Sequence, residues 1–212
     1  MESSVQAKGK WINISEVRLS DDIEVITFEN GEPKYRTYYF EFGKSSLQPS
    51  KVKNYFGKLF NLNYEVLNAK RIRFNRKGVF NQKIEPVMMP VYSDAVNFQD
   101  YIKLTPTKCR IKESEILQSK YVFYWREENH LIKFNESLTF PLINANDKAF
   151  SDEDQRMFLE KVEKTLLITL YANDKRKLIF PIKEIDDSKV VLRGLPRTKF
   201  EVVGTRWVQS KV

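Results

Sequence analysis

The chain of 212 residues holds one cysteine, one histidine, seven glycines and eight prolines. Each scarcity excludes something. With Cys109 alone, no intrachain disulfide can form, and neither can a zinc site built on several thiolates. With His130 alone, in the stretch Glu127-Glu128-Asn129-His130, the only candidate base for a hydrolase triad reads as an exposed turn residue. Sparse, scattered glycine leaves no P-loop and no dinucleotide-binding fingerprint. Few prolines and glycines also leave no low-complexity linker. No run approaches the 18 or so apolar residues of a transmembrane helix, so no membrane partner is expected. Residues 1–11 lack the basic-then-apolar layout of a signal peptide. These features predict a reducing, cytoplasmic location, with Cys109 as a small buried hydrophobe rather than a nucleophile.

What the chain does have is apolar mass and positive charge. Apolar residues make up 42% and aromatics 13%, enough to bury a core and to exclude a disordered chain. The formal net charge is +8, which favours anionic partners once the charge is located. Residues 1–43 carry 5 basic and 8 acidic groups, whereas residues 44–83 carry 10 basic groups and one acid, Glu65. A forty-residue segment therefore holds more than the whole excess.

Local patterns predict a β-rich chain. Segments 11–19, 23–29 and 34–42 are dominated by β-branched and aromatic residues, with a turn at Asn30-Gly31. Segment 70–77 alternates, with Arg71, Arg73, Asn75 and Lys77 on one face and Ile72, Phe74 and Arg76 on the other, mostly apolar one. Residues 49–60 read as a helix, because Val52, Tyr55, Phe56, Leu59 and Phe60 fall on one helical stripe behind Pro49. A second helix is read from Ser151 to about Lys164, with Ser151 as N-cap, Asp152–Asp154 as an acidic first turn, and Phe158, Leu159 and Val162 buried. Residues 121–126, 131–134 and 138–142 read as strands. So do 165–171 and 177–182, forming a hairpin about Asn173-Asp174. Pro181 places the latter strand at a sheet edge, guarded by Lys175, Arg176 and Lys177. A last hairpin spans 189–203 about Gly194-Leu195-Pro196.

The fold class this predicts is α+β, predominantly antiparallel β with two helices. Each half shows about three strands, a helix and two strands, the element order of an OB-type barrel. The expected division is a basic β-rich domain at 1–85, an irregular connection at 86–108, and a second β-rich domain at 109–212.

Function is read from the basic segment. Single-stranded nucleic acid needs cations for its phosphates and aromatic faces for its bases. In this reading Lys51 and Lys58 guide the backbone, Arg71, Arg73 and Lys77 pair with phosphates, and Arg36 and Tyr38 contact bases by stacking. No helix has the character of one that reads a major groove, so low sequence specificity is expected. The expectation is a non-enzymatic protein with no cofactor. One alternative is an assembly subunit whose basic segment docks an acidic protein surface, with Trp125 or Trp207 as candidate anchors. Another is a metal-dependent nuclease using Glu41, Lys44 and Asp21 or Asp22. Its Glu-x-x-Lys spacing puts the two side chains on opposite strand faces, one residue away from the usual Glu-x-Lys.

Overall fold

A computed structural model describes residues 8–14, 22–29, 32–41, 47–55, 63–68, 71–75, 98–125, 128–133, 155–172, 174–193 and 201–206. At 32–33, 55, 63–68, 71–75, 98–100, 125 and 128–133 the description covers the backbone alone. Among these residues the chain is mostly antiparallel sheet. The strands are β1 (Gly9–Asn13), β2 (Ile23–Glu29), β3 (Glu32–Tyr39), β4 (Lys51–Tyr55), β5 (Asn63–Asn68), β6 (Arg71–Asn75), β7 (Phe98–Lys103) and β8 (Lys108–Cys109). One short helix, α1 (Glu113–Gln118), precedes β9 (Lys120–Trp125), β10 (Glu128–Lys133), β11 (Gln155–Val162), β12 (Thr165–Ala172), β13 (Lys175–Ile185), β14 (Lys189–Leu192) and β15 (Val202–Arg206). No helix among them is long and apolar enough to cross a membrane.

The first sheet has the order β4-β3-β2-β1-β7-β6-β5. Its two end strands are joined by residues 56–62 alone. Laid flat, the ends would be six inter-strand steps apart, roughly 29 Å, and the register from Tyr55 through Trp11 and Lys103 to Phe98 and Asn63 adds roughly 16 Å along the strands. The connection spans at most about 29 Å when fully extended, so the sheet must curl. Burial agrees, because both of its faces are covered. Ile12, Ile23, Val25 and Tyr38 face the second sheet, while Trp11, Ile26, Tyr35 and Tyr101 are buried on the opposite face.

The second sheet runs β10-β9-β15-β14-β13-β12-β11, with β8 pairing off this path, parallel to β13. It curls into a half-barrel. Tyr121 and Phe123 of β9, Val190 and Leu192 of β14, and Met157 and Leu159 of β11 all line one core, which Ile116 of α1 joins. The opposite face of β11–β13 meets the first sheet: Val162, Leu167 and Ile179 pack with Ile12, Ile14 and Tyr38. β12 is therefore buried at every residue, the pattern of a strand covered on both faces.

Segment 104–110 ties these layers together. The Leu104 N–H donates to Lys10 O of the first sheet at 2.8 Å, and the Thr107 N–H to Lys164 O at 3.0 Å. The Thr107 hydroxyl sits between β12 and β13, donating to Ile182 O at 2.7 Å and accepting from the Leu166 N–H at 2.9 Å. It satisfies backbone groups where the two strands diverge.

Several expectations are corrected here. Both anticipated helices are strands where they are described: Lys51–Tyr55 is β4 and Gln155–Val162 is β11. In the first, the helical stripe was matched by Lys-Val-Lys-Asn-Tyr, which pairs in register along β3. In the second, Met157 to Glu160 are four consecutive buried residues. One helix face cannot bury four in a row, but a strand between two layers can. α1 lay unforeseen. The stretch 86–108, read as irregular, carries β7, which pairs with both β1 and β6, and β8. The hairpin at Asp174 is present, with Asp174 at φ 61°. Its second strand, β13, is interior rather than at an edge. Pro181 is tolerated because it lies where β13 passes from β12 to β14, its carbonyl accepting from the Arg193 N–H just past the end of β14. Arg176, read as an edge guard, is buried. Cys109 is exposed rather than buried, and His130 lies on β10 in register with Phe123, not in a turn. Residues 138–142, 151–154, 194–200 and Trp207 lie outside the described residues.

Candidate nucleic-acid interface

The basic segment is split by the strand order. Lys51 stands on β4, an end strand, whereas Arg71 and Arg73 stand on β6, five strands along the sheet order and next to the other end. Arg71 is in register with Ile102 and Arg73 with Asp100 of β7. Lys58 and Lys77 lie outside the described residues. The sheet thus brings Lys51 beside β3, and curling is what draws the two end strands nearer each other.

Arg36 and Tyr38 share one face of β3, as alternation requires, but that face looks onto the second sheet. Tyr38 is 4% exposed and packs in the core between the sheets. The stacking expected of it is corrected: its ring has no open face. Burial also pushes its phenol above the ordinary range, so it acts as a neutral donor. Its hydroxyl donates to Glu163 Oε1 at 3.1 Å. Arg36 is held on both sides, with Nε donating to Asn54 Oδ1 at 2.7 Å and Nη1 to Glu163 Oε1 at 3.4 Å. Lys10 Nζ completes the cluster, donating to the two Glu163 oxygens at 2.6 and 2.7 Å. Glu163 itself sits in the turn between β11 and β12 at φ 54°. Beside it, Lys34 pairs with Glu29.

The opposite face of the β3–β4 pair carries a different arrangement. Tyr39 is in register with Lys51, and Thr37 with Lys53. Lys53 Nζ lies 5.2 Å from the centroid of the Tyr39 ring, within cation–π range. Lys51 and Lys53 are exposed and have no carboxylate partner among the described residues. Lys103 repeats the pattern two strands beyond β2, 6.0 Å from the Trp11 ring centroid. Of the residues singled out from sequence, Lys51 alone belongs to this rim. Lys53 was missed because 49–60 was read as a helix, which places residues 51 and 53 on different faces and leaves Tyr39 of the preceding strand without a partner strand. Reading the same residues as a strand pairs them at once. Nothing local marks Glu163 as a partner of Arg36, from which it is separated by 127 residues.

The carboxylates weighed for metal chemistry do not assemble a site where they are described. Among the described residues no three His, Cys, Asp or Glu side chains converge to hold a metal ion. Asp21 and Lys44 lie outside them. No family model, characterised protein or solved structure matches the chain.

Proposed function

We propose that the protein binds single-stranded nucleic acid along the β3–β4 rim, without catalysis and with little sequence preference. One observation carries the reading: Lys51 and Lys53 stand exposed on an end strand, with Tyr39 of the next strand in register with Lys51 and its ring centroid 5.2 Å from Lys53 Nζ. Lysines neutralise phosphates, and a tyrosine face accepts any base. The rim belongs to the segment with ten cations to one acid. In this reading each curled sheet serves as an OB-like platform, presenting a strand face to the ligand. By register, Arg71 and Arg73 lie on the other face of the sheet from Lys51 and Lys53, so they stand outside this rim.

Fluorescence anisotropy of labelled single-stranded DNA, single-stranded RNA and duplex DNA, titrated from about 50 to 200 mM salt, tests it. Tighter binding to a single strand is expected, with a salt slope that flattens by about 1.4 in Lys51→Glu plus Lys53→Glu, the loss of two phosphate contacts. No binding to any of the three at low salt would sink the reading. A second reading, a subunit of a larger assembly, draws on Tyr124 and Val203. They are 66% and 52% exposed and lie side by side on β9 and β15. Defined oligomers in sedimentation velocity, together with silence in anisotropy, would favour it.

A further inference from the structure

The turn from β11 to β12 contains two residues, Glu163 and Lys164, between the paired Val162 and Thr165. Two-residue hairpin turns demand positive φ, which glycine and asparagine meet easily and glutamate does not. Yet Glu163 occupies the position with φ 54°. Such a residue persists where its side chain compensates. Here the carboxylate receives Lys10 at both oxygens, at 2.6 and 2.7 Å, the buried Tyr38 hydroxyl at 3.1 Å and Arg36 at 3.4 Å.

Three donors from two strands converge on one anion: Lys10 on β1, and Arg36 and Tyr38 on β3. All three belong to the first sheet, while the anion comes from the second. Two of the three donors are held by groups other than their occupant. Arg36 is oriented from behind by Asn54 at 2.7 Å, and Tyr38 is fixed by the core. The cradle is two cations and a neutral donor facing one carboxylate. The other nearby acid, Glu29, is engaged by Lys34. Lys10 and Arg36 keep side-chain exposures of 40% and 44%, so an outside anion can reach them. Planar guanidinium, ammonium and hydroxyl donors together suit a phosphate oxyanion as well as a carboxylate.

We infer that Lys10, Arg36 and Tyr38 form a binding site for a phosphate-type anion, and that the Glu163 carboxylate is its tethered occupant. A tethered group competes at high effective concentration, so the site opens only to ligands that bring several phosphates or that lift the turn. The inference deepens the nucleic-acid reading and rests on it for the source of the phosphate. Arg36 is one strand in from β4 but on the other face of the sheet from Lys51 and Lys53, so the cradle is a second contact that a strand bound at the rim would reach by turning around the β4 edge.

The test pairs two probes. Inorganic pyrophosphate is titrated calorimetrically into wild type and Glu163→Gln. The charge-free variant is expected to bind about tenfold tighter or more, and the gain should vanish when Lys10→Met and Arg36→Met are added. Glu163→Asn, which suits the turn, is expected to show the same gain and serves if the Gln variant folds poorly. In parallel, the salt slope for a single-stranded oligonucleotide should steepen by about 0.7 per phosphate newly contacted in Glu163→Gln. A gain with pyrophosphate but no oligonucleotide binding by either protein would keep the anion site and discard the nucleic-acid reading. Equal pyrophosphate affinities in wild type and both variants, or a gain that survives loss of Lys10 and Arg36, would overturn the site and leave Glu163 as a tie between sheets.

Discussion

Two clusters join the layers of this protein, and both are built from a glutamate, an arginine and a tyrosine. Glu160 and Glu163 lie three residues apart at the end of β11. Glu160 meets Arg176 and Tyr171 in the interior: Arg176 Nε donates to Oε2 at 3.1 Å, Nη2 to Oε1 at 2.8 Å, and the Tyr171 hydroxyl to Oε1 at 2.6 Å. The Arg176 guanidinium is also hydrogen-bonded to the Tyr171 hydroxyl. It lies 5.5 Å from the ring centroid of Phe40, which follows β3. Glu163 meets Arg36, Tyr38 and Lys10 at the margin. The side chains of the interior pair are 2% and 4% exposed, whereas those of Arg36 and Glu163 are 44% and 31% exposed. The same chemistry therefore has opposite consequences. Desolvated charges must be matched, because water cannot replace a lost partner. Half-exposed charges are screened and replaceable, so their pairing contributes little to stability and can be exchanged for a ligand.

The comparison can be broken at either end. The largest effect is expected at Arg176. Arg176→Met strands Glu160 in the interior and should cost about 3–5 kcal/mol by urea denaturation. Adding Glu160→Leu should return most of that loss, since a well-packed apolar pair replaces a buried ion pair at little cost. A loss below about 1 kcal/mol in the single variant would mean that water reaches the cluster and that the contrast is false. Glu163→Gln should cost no more than about 1 kcal/mol in the same assay. A larger loss would move Glu163 into the structural class with Glu160.

The smallest effect is expected at Asp186, where hydrogen bonds rather than burial perturb an exposed carboxylate. The Ser188 hydroxyl, followed by the Ser188 and Lys189 backbone N–H groups, holds it down to about 2 from its ordinary 3.8. A depressed folded-state pKa contributes stability above the unfolded value and loses it as pH falls toward the folded value. Wild type should therefore shed a small increment between about pH 4 and pH 2 that Asp186→Ala does not shed. Urea midpoints at several pH values in that window measure it. Identical pH profiles would show that the turn is not held by this carboxylate.

Much of the sheet was legible locally. β2, β3, β6, β9, β12 and β13 were read near their observed places because alternation, aromatic content and Asn-Gly or Asn-Asp turns act over a few residues. β11 was not, since Met-Phe-Leu-Glu-Lys-Val satisfies a helical stripe and a strand buried on both faces equally well, and only the second layer decides between them. β7 was hidden for a related reason. Phe98–Lys103 follows a stretch that Pro86, Pro90 and Asn97 mark as irregular, and its partners β1 and β6 stand elsewhere in the chain. Of the candidate site, Lys51 was legible from charge density alone. The roles of Arg36 and Tyr38 were not, because alternation puts two residues on one face without saying what that face meets.

By itself the sequence determined that this chain is a β-rich globular protein with its excess charge in residues 44–83. Composition and short-range periodicity are sufficient for both, being sums over neighbours. The tertiary structure alone decided which charges are available. Strand order placed Lys51 and Arg71 near opposite ends of one sheet. The packing of that sheet on the β11–β12 turn gave Arg36 and Lys10 a carboxylate while leaving Lys51 and Lys53 facing water. Electrostatic partnership depends on distance in space, and a distance across 127 residues of chain is set only when the layers close.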